Sequence, residues 1–109
     1  MSLDPTAVEA AVTAHWPVKW RSDLTLNWLT YDGPVTVADL LAAYLLLLGK
    51  AYTYGPDYHV QGADLAWKLG EKTVKSRRLG RLMQLLRTNG LARFKKGKGW
   101  RAVYPEEWT

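Results

Sequence analysis

Residues 72–105 hold eleven Lys or Arg and no Asp or Glu, so the chemistry on offer there is hydrogen-bond donation and positive charge directed at a polyanion. Residue type refines this. Arg can bond bidentately to guanine and Gln to adenine on a major-groove edge, which suits Arg77, Arg81 and Gln84 to base edges. Lys72, Lys75, Arg78 and Arg87 suit phosphates, which fix position without reading sequence, and the stem of Arg78 is expected to lie along an apolar edge. Lys95, Lys96 and Lys98, with Arg93 and Arg101, are placed to reach a neighbouring backbone or minor groove. Ser76, the expected N-cap of the helix that carries the first group, is counted with the candidate DNA-binding residues.

The rest of the chain balances this segment poorly. Residues 1–64 carry three bases against seven acids, or −4, and residues 65–109 carry twelve against three, or +9, within a net charge of +5. A face kept basic only for solubility usually mixes both signs. At 109 residues and 48% hydrophobic the chain is long enough for one core and not two. It has no Cys, which removes disulfides, thiolate metal sites and thiol nucleophiles and suits a reducing compartment. No basic region followed by an apolar run opens the sequence, and the longest apolar run, residues 40–48, is nine residues. Neither a secretory signal nor a membrane span is expected, and the cytoplasm is the expected location.

Catalysis has little to work with. The two histidines are 44 residues apart, and neither a Ser, His and acid grouping nor a phosphate-binding glycine loop is visible. Asp57, His59 and Asp64 have a spacing that can hold a metal but lack a fourth ligand. No catalytic residue, metal or cofactor is therefore expected, and His59 is read as a loop residue bonded to its own backbone.

Along the chain, Asp4-Pro5 starts a short helix over about residues 5–15, closed by Pro17. Residues 16–31 suit either a strand, with Leu24, Leu26 and Trp28 alternating, or a helical face with Leu24, Trp28 and Leu29. Trp16, Trp20 and Trp28 either join the core or build a partner surface. Asp32-Gly33-Pro34 reads as a turn, and Thr36 with Asp39 as a capping box opening an apolar helix to about Leu48, either the central helix or a subunit seam. A loop over residues 49–62 comes next, with room for a short strand at 59–61. A short helix over 63–69 is closed by Gly70. Ser76 caps a helix whose stripe Leu79, Leu82, Met83 and Leu86 opposes Arg77, Gly80, Arg81 and Gln84 and ends at Asn89-Gly90. Gly80 costs about 1 kcal/mol relative to Ala inside that helix, which suggests close approach of either a phosphate backbone or a neighbouring helix. Two alternating strands, Ala92 and Phe94 on one and Trp100, Ala102 and Tyr104 on the other, flank the tip 95–99.

The order of helix, short helix, turn, helix and lysine-tipped hairpin over residues 36–104, with Ala66-Trp67-Lys68-Leu69-Gly70 and Asn89-Gly90-Leu91, resembles the winged helix-turn-helix superfamily. The run Ser76-Arg77-Arg78-Leu79-Gly80-Arg81-Leu82 is also similar to winged segments at the tail of some phage and mobile-element primase-helicases. Between Gly70 and Leu79 the turn is longer than in typical members. The resemblance implies a mainly α fold with a small β-hairpin, divided into an N-terminal extension over 1–35 and a winged helix over 36–109 in one compact unit. It implies a double-stranded DNA partner, with helix 76–88 in the major groove, and the role of a small transcriptional regulator or a replication or maintenance factor of a mobile element. A homodimer is expected, its seam formed by the N-terminal segment and the helix over 37–48. The other reading is an RNA- or protein-interaction subunit that docks through its Trp-rich N-terminal surface.

Overall fold

A computed structural model describes Ala14, Trp16 and residues 27–73 and 75–104, and within them the chain is a small α+β protein with three helices and two antiparallel hairpins. The first hairpin joins β1 (Asn27–Thr30) to β2 (Gly33–Thr36). Helix α1 (Val37–Tyr54) comes directly after it, then α2 (Gly62–Lys68) and α3 (Arg77–Thr88). The second hairpin pairs β3 (Ala92–Lys95) with β4 (Gly99–Ala102). The helix expected over residues 5–15 lies outside the described residues except Ala14, which is helical.

Helix α1 is the spine. The Thr36 hydroxyl accepts from the Asp39 N–H while the Asp39 carboxylate accepts from the Thr36 N–H, so the expected capping box is formed. Val37, Leu40, Ala43, Tyr44, Leu47, Leu48 and Ala51 are buried. The helix is long and apolar enough in composition to cross a bilayer, but these residues form the middle of the core instead. It runs six residues beyond the expected end at Leu48. An interior Gly such as Gly49 costs only about 1 kcal/mol. The next turn outweighs that cost: Ala51 is buried and Tyr52 stacks on Tyr104, 5.2 Å between ring centroids. Gly55 and Pro56 end the helix where the Gly55 N–H bonds the Ala51 carbonyl. The Tyr44 hydroxyl donates to the Val103 carbonyl, tying α1 to the chain beyond β4.

The undecided stretch before Asp32 contains a strand: Trp28 pairs with Val35 and Leu29 with Pro34. The turn itself is Tyr31-Asp32, so Gly33 and Pro34 belong to β2 and not to the turn; Pro34 sits in a two-stranded ribbon, where its missing N–H breaks no ladder on a second side. Trp16 is in the core and Trp28 packs against it, so the core reading holds for these two. Trp20 lies outside the described residues.

Helices α2 and α3 end alike. The Glu71 N–H bonds Ala66 O and the Gly70 N–H bonds Trp67 O; the Leu91 N–H bonds Leu86 O and the Gly90 N–H bonds Arg87 O. These are Schellman closures, in which the residue after the cap turns left-handed and glycine does so without a Cβ clash; Gly70 and Gly90 have φ of 74° and 75°. Leu91 is thereby driven into the core, and its carbonyl receives the Val103 N–H. Between α1 and α2, Val60 bridges Trp100 through N–H···O bonds of 2.7 and 2.8 Å, so the expected short strand is a single antiparallel bridge against β4.

Candidate nucleic-acid interface

The geometry of α3 is dictated by its sequence. Leu79, Leu82, Met83, Leu85 and Leu86 are buried, which fixes the rotation of the helix and turns Arg77, Gly80, Arg81, Gln84 and Arg87 to solvent. The three residues suited to base edges, Arg77, Arg81 and Gln84, therefore share one open face. Gly80 lies among them, and a Cβ built there meets nothing within 4 Å among the described residues beyond its own helix. Among the described residues no neighbouring helix accounts for this glycine, and its bare backbone is exposed.

At the N-terminus, Ser76 is buried, its hydroxyl accepting from the Leu79 N–H at 3.3 Å and donating to Glu71 Oε2 at 3.2 Å. It acts as the N-cap, with its hydroxyl turned inward. Lys72 and Lys75 are exposed on the long turn before it, which is shaped by the Ser76 N–H bonding Thr73 O.

Arg78 differs from the other cations. Its guanidinium bonds Glu71 and Asp39, the latter at 2.8 Å, and its Nε donates to Pro34 O at 2.9 Å. Burial works against the charge on Asp39, but the Thr36 N–H, the Thr36 hydroxyl and the Arg78 guanidinium outweigh it, so its pKa is lowered. Burial likewise opposes the charge on Arg78, and Glu71 and Asp39 outweigh it, raising its pKa. Three elements meet at this side chain: the start of α1, the turn after α2 and hairpin β1–β2. Arg78→Ala is expected to cost about 2 kcal/mol near neutral pH, in the range of bonds to charged groups. The sign with pH comes from Asp39. A depressed carboxylate contributes stability that is present above its ordinary value of 3.8 and lost as pH falls through the folded value. Denaturant melts at stepped pH should therefore show wild type and variant converging in acid; a gap that stayed constant down to pH 2 would mean that Arg78 acts through its stem alone.

Hairpin β3–β4 has two faces. Ala92 and Ala102, paired in register, are buried, and Phe94 and Trp100, the next pair on that side, are in ring contact at 4.9 Å. On the other side Arg93 stands directly opposite Arg101. Like charges paired across strands are destabilising, and no carboxylate bonds either guanidinium among the described residues. The tip carries Lys95, Lys96 and Lys98, all exposed. Glu71 is thus the last described acid before a run of cations, and it is already engaged by Arg78 and Ser76.

Two residues of this surface lie outside the basic segment. Asp32 Oδ2 accepts the Arg77 backbone N–H at 2.6 Å, and the Arg77 guanidinium carbon sits 5.0 Å from the centre of the Tyr31 ring. Nothing in their spacing distinguishes them in the sequence, because the contact spans 45 residues. His59 Nδ1 lies 2.7 Å from the Asp57 carbonyl oxygen, a bond within its own loop, and among the described residues no three His, Asp or Glu gather as a metal site would require. Compared with protein families, with curated proteins and with solved structures, the chain finds no match.

Proposed function

We propose that this chain is a winged-helix protein that binds double-stranded DNA, with α3 lying in the major groove and the tip of hairpin β3–β4 on the adjacent backbone or minor groove. The observation that carries this reading is the solvent face of α3: Arg77, Arg81 and Gln84 around a bare Gly80, with no acid within the helix itself and Asp32 engaged by the first helical N–H. A helix intended only to be soluble gains nothing from a glycine there and loses about 1 kcal/mol; a helix that another surface approaches closely gains room. The element order supports the same reading, because α1, α2, α3 and a lysine-tipped hairpin succeed one another as in a winged helix. The opposed Arg93 and Arg101 fit a surface whose counter-charge arrives with its ligand. Within this reading the chain serves a transcriptional switch or the replication or maintenance of a mobile element.

The test is a titration of labelled duplex at several salt concentrations. Binding even to random duplex is expected with a Kd no weaker than about 10⁻⁴ to 10⁻⁶ M, and about six neutralised phosphates give a log–log salt slope near −5. A slope near zero, or preference for an RNA competitor or a protein over duplex, favours the interaction-module alternative and removes the DNA reading.

A further inference from the structure

We propose that Tyr31, at the turn of hairpin β1–β2, is a positioning residue that holds Arg77 toward the DNA; this rests on the DNA-binding reading above. Tyr31 is 86% exposed, so its ring does not serve the core. The face of that ring lies against the Arg77 guanidinium at 5.0 Å, a distance at which a cation is attracted by the ring quadrupole. The neighbouring Asp32 carboxylate takes the Arg77 N–H at 2.6 Å. Arg77 is therefore held at both ends, its backbone by Asp32 and its charged head by Tyr31. One residue along, Arg78 bonds Pro34 O at 2.9 Å, a second tie between the hairpin and the start of α3.

The position matters because the N-terminal residues of a recognition helix are the ones that meet base edges. A free arginine samples many rotamers, and ordering it on binding weakens affinity; a guanidinium already resting on a ring has lost much of that freedom. The Asp32 carboxylate also occupies the N–H that begins α3, which removes that donor from phosphate binding.

The experiment is a double-mutant cycle on the full chain, using Tyr31→Leu, Tyr31→Phe, Arg77→Ala and the Tyr31→Leu/Arg77→Ala pair. Binding is measured by anisotropy against a duplex that wild type selects from a random-sequence pool and against a scrambled version, with a thermal melt of each variant. Tyr31→Leu is expected to weaken the selected duplex about two- to fivefold, the equivalent of an exposed cation–π contact, with the melt lowered by no more than about 5 °C. Tyr31→Phe keeps the ring face and should bind as wild type. In the Arg77→Ala background the Tyr31→Leu change should have no further effect, because its partner is gone. Full affinity of Tyr31→Leu, or the same loss in both backgrounds, overturns the proposal while leaving DNA binding intact. A wild-type protein that selects no duplex fails the DNA reading itself, a separate outcome.

Discussion

Gly99→Ala is expected to unseat the basic hairpin, with a loss of about 3 to 5 kcal/mol, a large part of the roughly 5 to 15 kcal/mol that holds a small domain together. Two effects add. Gly99 has a φ of 113°, which a residue with a Cβ adopts only under strain. A Cβ there would also stand 2.8 Å from the carbonyl carbon of Val60 and 3.0 Å from the Cα of Gln61, and it would overlap the Val60 oxygen. These are backbone atoms, which cannot swing aside as a side-chain tip can. Relief requires the two strands to part, and with them the Val60–Trp100 bonds of 2.7 and 2.8 Å. Gly97→Ala is the control: its φ is 84°, but nothing lies within 4 Å of the added carbon, so only the backbone strain of about 1 kcal/mol remains. Urea unfolding of both variants separates the two effects. Equal, small losses would mean that the hairpin is not held by close approach of its backbone to the segment before α2.

This glycine illustrates what the sequence conveys and what it hides. Residues 95–99 announce a hairpin through alternating neighbours and two glycines, and a hairpin forms there, with Lys95 and Gly99 as its last strand pair rather than its turn and Tyr104 beyond β4. The reason for Gly99 is a contact with Val60, far away along the chain, for which no local pattern exists. The same division runs through the molecule. The apolar stripe of α3, the Thr36 capping box and the glycine closures at Gly70 and Gly90 are short-range features, and each appears where the spacing places it. The continuation of α1 past Gly49 was hidden, because the contact that holds it is a Tyr52–Tyr104 stack across the fold. Charge counting likewise treats all cations alike. Arg78 looks like its neighbours in the sequence, yet folding gives it two carboxylates, one of which, Asp39, already has a local reason to exist as a helix cap. Tyr31 and Asp32 join the basic surface from outside the basic segment for the same reason: their roles are made by a long-range contact.

The second large effect divides reading from holding within the proposed DNA surface. Replacing Lys95, Lys96 and Lys98 together is expected to weaken preferred and random duplex alike, roughly tenfold at ~0.1 M salt for each lysine that touches a phosphate, and to flatten the salt slope by about one unit per contact. All three are exposed at the hairpin tip, so the melt should not move. Arg81→Ala should act differently. Arg81 lies on the open face of α3 beside Gly80, where in the proposed complex its guanidinium would meet base edges, and such a contact is worth about 1 to 3 kcal/mol on the right sequence and little on the wrong one. Its loss should therefore relax specificity, lowering affinity for the preferred duplex toward that for random duplex while leaving the salt slope nearly unchanged. The two variants and wild type, titrated against one preferred and one scrambled duplex at several salt concentrations, give a pattern that neither effect can imitate. If Arg81→Ala lowered both affinities equally and the lysine triple changed only the preferred duplex, the hairpin would be the reader and α3 the clamp. Lys72 and Lys75, exposed on the long turn between Gly70 and Ser76, give that outcome a physical basis, because in the proposed complex their contact with the DNA backbone would limit how deeply the first turn of α3 enters a groove.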